Sequence, residues 1–168
     1  RELATAYLAF ETVADADRRR AWAADLGRVE PEKIYLQVRP DGTKLETLHN
    51  WTVYAAAGEV LREAAGIKPA GEFVWGRAFF DKYMPAQFGH FTSLGMYRDP
   101  GDPITYDITT RLQFATALAL GGYDGGQREA IGELLRRGGL ATLLFVSPQG
   151  FVPYGGRSSQ FCFQEAIV

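Results

Sequence analysis

The chain has 168 residues, 46% hydrophobic and 23% charged, with a formal net charge of −2. That is ordinary composition for one globular domain, long enough to bury about two-thirds of its unfolded surface, and it excludes a disordered tail. Charges of both signs are spread along the chain without the basic stripe of a nucleic-acid reader, the single Cys162 excludes an internal disulfide, and no run of about 18 apolar residues is present to span a membrane. The densest basic cluster, Arg18-Arg19-Arg20, has Asp15, Asp17 and Asp25 for neighbours and reads as a solvated helix face.

In chain order, Leu3, Tyr7, Phe10, Val13 and Ala14 recur at helical spacing and predict one helix over 2–26, stopped at Gly27. Residues 31–36 lead out of it, Tyr35, Leu36 and Val38 suit a short extended piece, and Pro40-Asp41-Gly42 is a turn. A second helix is expected over 50–65, with Asn50 as N-cap and Val53, Tyr54, Ala57, Val60, Leu61 and Ala64 as its apolar stripe. A third spans 73–88, with Pro85 as break or kink. After a loop over 90–103 a fourth runs over 105–120, and a glycine-rich segment, 121–126, closes it. A fifth covers 127–137 with a further helical piece through Phe145, and Ser158 opens a sixth.

Arg1 starts in a helix-like pattern without an initiating Met, and Ala166-Ile167-Val168 ends apolar without a capping glycine. The expectation is one partial domain, 1–168, whose fold continues past both ends and whose apolar end faces favour self-association. With no signal peptide in the chain, a soluble protein is expected, and cytoplasmic and secreted locations both fit.

Three stretches can carry chemistry. At a helix start, His49 and Asn50 can hydrogen-bond a substrate hydroxyl or carboxylate and Trp51 can stack on a ring; equally, Asn50 caps and Trp51 packs. The segment 95–103 holds two Asp-Pro steps at Asp99 and Asp102, which restrict the loop, and leads to Tyr106, Asp107 and Arg111. Asp107 and Arg111 lie four apart on one helix face and can pair; the functional reading makes Asp107 an acid, a base or an orienter of Tyr106 or Arg98. Calcium at Asp99, Asp102 and Asp107 matches no EF-hand spacing. In the third stretch, 153–160, Gly155 and Gly156 precede Arg157, Ser158 and Gln160 at a helix start, which suits an anion or a sugar. It lacks the Gly-Lys-Ser/Thr ending of a nucleotide loop. His90 is the second of only two histidines, so a histidine-rich metal site is excluded, and no Gly-x-Ser-x-Gly elbow appears. Neither a metal nor another cofactor is expected.

Gly-Met-Tyr-Arg-Asp-Pro at 95–100, Thr-Tyr-Asp at 105–107 and Gly-Gly-Arg-Ser-Ser-Gln-Phe at 155–161 resemble bacterial proteins of the heparinase II/III-like and related (α/α)-toroid families. The resemblance covers roughly residues 40–168. It implies an all-α array of helical hairpins forming part of a toroid, in a polysaccharide lyase or a glycoside hydrolase. For a lyase it implies Asn50 and Arg157 as neutralisers of a uronate carboxylate, His49 or His90 as the base, and Tyr97 or Tyr106 as the acid. Lyases of this group often carry Asn followed by His, whereas here His49 precedes Asn50. The hydrolase reading needs two carboxylates, Asp107 and Glu165 before Asp99 and Asp102. Arg98 joins Trp51, Arg157, Ser158 and Gln160 as a substrate contact. The expected activity is cleavage of an acidic poly- or oligosaccharide, β-elimination ahead of hydrolysis. A non-catalytic helical-repeat binding module is the third reading, with neither nucleic acid nor membrane as partner.

Overall fold

The structure, a computed structural model, describes residues 1–34, 50–99 and 104–150, with the backbone alone for 104 and 105. Among them the protein is all-α: α1 (Glu2–Phe10), α2 (Ala16–Gly27), α3 (Pro31–Ile34), α4 (Asn50–Ala64), α5 (Gly76–Tyr83), a 3-10 helix (Pro85–His90), α6 (Ile104–Ala119) and α7 (Arg128–Leu143). The described residues contain no strand; one isolated antiparallel bridge joins Phe91 to Tyr97. No helix among them is long and apolar enough to cross a membrane.

The core is built around α4, which packs on α1, α5 and α6, while α7 packs on α6. Val53, Ala55, Ala56, Ala57, Val60 and Leu61 are all buried, and the run of alanines lets neighbouring helices come close. Phe79 and Phe80 of α5, Phe114 of α6, Tyr123 of the loop before α7 and Ile131 of α7 fill the space so made. Phe80 stands edge-on to Phe114 at 6.2 Å between ring centres and tilted against Tyr123 at 4.5 Å.

Several helix limits differ from the pattern in the sequence. The expected helix over 2–26 is two helices, α1 and α2. The Asp15 side chain accepts the Arg18 N–H at 2.8 Å as N-cap of α2, and Val13, the apolar residue between the two helices, is exposed rather than buried. The third helix starts at Gly76, three residues later than expected. There two carboxylates of α4 accept its first N–H groups, Glu59 from Gly76 at 3.1 Å and Glu63 from Arg77 at 2.6 Å. Pro85 then turns the chain into the 3-10 helix. The helix starting near residue 127 is one element through Leu143, and residues 31–34, expected to lead out as a connection, form the short α3. Arg62 ties these parts together: its Nη1 donates to the Val29 carbonyl at 2.8 Å, and its guanidinium lies over the Phe73 and Trp75 rings. The extended piece at 35–38 and the helix expected from Ser158 lie outside the described residues.

Candidate functional site

The residues singled out around 50, 90 and 95–111 converge where the start of α4, the segment 90–99 and the first turns of α6 meet. The segment folds back on itself: Thr92 N–H donates to the Met96 carbonyl at 2.8 Å and Arg98 N–H to the His90 carbonyl at 2.8 Å, around the Phe91–Tyr97 bridge. Gly95 makes the turn with φ +77, and a Cβ there would land on the Leu134 carbonyl and the Gly138 amide of α7. The tip of the segment thus presses on α7, where Arg137 Nη1 donates to the Ser93 carbonyl at 2.8 Å.

Two aspartates hold the other side. Asp107 Oδ1 accepts the Tyr97 N–H at 2.5 Å. Its carboxylate also takes a two-pronged ion pair from Arg111, with Nε to Oδ1 at 2.9 Å and Nη2 to Oδ2 at 2.8 Å. Arg111 Nη2 donates further to Thr142 Oγ1 of α7 at 2.6 Å. The pairing expected from the four-residue spacing is therefore present, and it is buried. Asp99, also buried, accepts the Asn50 N–H at 2.8 Å and sits at the positive end of α4. Asn50 is the first helical residue and not the cap expected from sequence, because a carboxylate 49 positions later supplies the acceptor at this helix start.

Tyr97 is buried, and its hydroxyl donates to Gln87 Oε1 at 2.6 Å. Burial, followed by the nearby Asp99 carboxylate, pushes its phenol well above the usual tyrosine range, so it stays protonated. The His90 ring lies beside it, 5.8 Å between centres and half-buried. Trp51 and Arg98 are exposed and Tyr106 is half-buried. The arrangement is thus a rigid buried frame of Asp99, Asp107, Arg111, Tyr97 and Gln87. Around it stand groups that solvent reaches: an indole, a guanidinium, an imidazole and a phenol.

Of the expected site residues, Asn50, Trp51, His90, Tyr97, Arg98, Tyr106 and Asp107 belong to this neighbourhood. His49, Arg157, Ser158 and Gln160, with Asp102 and Glu165, lie outside the described residues. Gln87 and Thr142 were not singled out from sequence. No local pattern marks either, since both act through partners on other elements. Among the described residues no group of three or more His, Cys, Asp or Glu is placed to hold a metal ion. Compared with protein-family models, curated proteins and solved structures, the chain matches none.

Proposed function

We propose that the chain is part of an (α/α)-toroid carbohydrate-active enzyme domain that cleaves an acidic poly- or oligosaccharide by β-elimination. One observation carries this reading: Trp51, Arg98 and Tyr106 are chain neighbours of Asn50, Asp99 and Asp107 at the buried frame where α4 and α6 start, and the His90 ring lies beside Tyr97 of that frame. Toroid architecture is supported by sequence neighbours that pack as neighbours, α4 with α5 and α6 with α7, and by α4 packing on α6. Trp51 offers a flat face to a sugar ring, and Arg98 meets the uronate carboxylate, which lowers the cost of charge developing beside it. His90 takes the proton next to that carboxylate. The electron pair forms the carbon–carbon double bond, the bond to the leaving oxygen breaks, and Tyr106 returns a proton to that oxygen. Tyr97, buried and bound to Gln87, braces His90.

Elimination is favoured over hydrolysis because Asp99 and Asp107 are buried and already accept N–H groups. The test exposes the protein to uronate-containing polysaccharides and follows both reducing ends and the ultraviolet absorbance of unsaturated uronate. Both should rise together, and His90→Ala should lower kcat/KM at least about a hundredfold with an unchanged denaturation midpoint. Reducing ends without absorbance would replace elimination by hydrolysis. Saccharide binding without cleavage would leave a binding module.

A further inference from the structure

Gly138 and Gly139 stand side by side near the end of α7, and only the first is explained within the chain. A Cβ at Gly138 would land on the Gly95 carbonyl and the Arg111 side chain. A Cβ at Gly139 would meet no described atom within 4 Å, and its φ is not left-handed. Glycine is costly inside a helix, and what it offers there is close approach by another backbone. Gly139 opens into a groove of about 320 Å³ between α6 and α7, with Ile108, Leu112, Ala115, Leu135 and Leu143 as apolar walls. The polar side chains that border it, Arg111 and Thr142, are hydrogen-bonded to each other at 2.6 Å. Leu143 also belongs to a ridge at the end of α7, where Leu140, Leu143, Leu144 and Phe145 are each 49–81% exposed.

We infer that two copies of the chain pair through this face, α7 against α7 about a two-fold axis near Gly139, the ridge of each copy seated in the groove of the other. The face carries a ridge and also the groove that receives it, the self-complementarity that a two-fold contact requires. Residues 138–146 include no charged residue, and Glu133 and Arg136 at their border are paired with each other. The surface that covers this face is therefore neutral and apolar, as the face itself is. At about 200 Å² for a fully open large apolar residue, the four ridge residues leave roughly 500 Å² per copy in water. Burying both ridges covers roughly 1,000 Å², and the groove walls add to it, which reaches the range of a specific but weak dimer. The pairing does not rest on the saccharide reading.

The test sediments the full chain over a range of concentrations, where a reversible monomer–dimer equilibrium is expected with a Kd on the order of 10–100 µM. Leu144→Lys should weaken the dimer at least about tenfold, since it sets a charge where an apolar side chain is buried. Gly139→Lys should act in opposite directions on two readouts. It should weaken the dimer by at least as much, and raise the urea midpoint measured on dilute monomer, since Lys is the better helix former. Leu120→Lys is the control: an exposed leucine at the far end of α6 is replaced by the same charge, and the Kd should stay within about twofold. Monomer alone up to about 1 mM would overturn the proposal, as would assemblies that grow past the dimer with concentration. So would a dimer that Leu144→Lys and Gly139→Lys leave intact, or that Leu120→Lys weakens equally.

Discussion

Glu59 is a carboxylic acid in the middle of a helix that faces the core, 3% exposed, with one oxygen accepting the Gly76 N–H and the other 3.3 Å from Arg62. Burial raises its pKa, and Arg62 and the Gly76 N–H oppose that rise without cancelling it. The folded protein therefore holds this proton to a higher pH than the unfolded chain does. Between the ordinary glutamate value and the raised one the folded state binds more protons, so this group's contribution to stability falls as pH rises through that window. Glu59→Gln keeps an acceptor for Gly76 and removes the titration. Urea denaturation at a series of pH values should show the variant gaining on the parent as pH rises; parallel curves would refute the assignment. Of the ion pairs at this scale, Asp107–Arg111 was legible as a four-residue spacing. Asp99 at the start of α4 was not, because donor and acceptor are 49 positions apart.

At the scale of the element, the apolar period marked where helices run but not their ends, nor every buried face: Leu3, Phe10 and Val13 of the first expected stripe are exposed, and that helix breaks in two. Most of the expected α4 stripe is buried, but Ala64 at its end is exposed, and Thr52, Ala55, Ala56, Glu59 and Arg62 beside it are buried too, so the helix is covered on more than one face. The start of α5 was not readable, because Glu59 and Glu63 on another helix supply the acceptors there. The segment 90–99 depends in the same way on α7. Gly95 is left-handed, and a Cβ would strike backbone atoms of α7 that no side-chain rotation relieves. Gly95→Ala should cost about 2–4 kcal/mol from strain and displaced packing. Chemical denaturation measures the loss, and the amide exchange of Arg98 should quicken as its bond to the His90 carbonyl loosens. A neutral substitution would mean that the segment does not lean on α7.

At the scale of the molecule, one aromatic cluster joins the helices. Phe80 is fully buried and touches rings from α6 and from the loop before α7, so it holds three elements at once. Phe80→Ala should lower the unfolding free energy by about 3–5 kcal/mol, read from the denaturant midpoint at unchanged slope. A loss under about 1 kcal/mol would mean that the cluster collapses onto the gap.

The sequence by itself determined the all-α class, the approximate extent of α4 and α6 and the ion pair along α6. Each of these is local: periodic burial and a four-residue spacing are written in neighbouring positions. Only the tertiary structure decided that Asp99 serves α4, that Gln87 takes the Tyr97 hydroxyl, and that α7 carries the turn at Gly95. It also decided that Arg111 borders a groove as well as an ion pair. Those outcomes rest on hydrogen bonds and close approaches between residues far apart in the chain, and a buried donor takes whichever acceptor the packing brings to it.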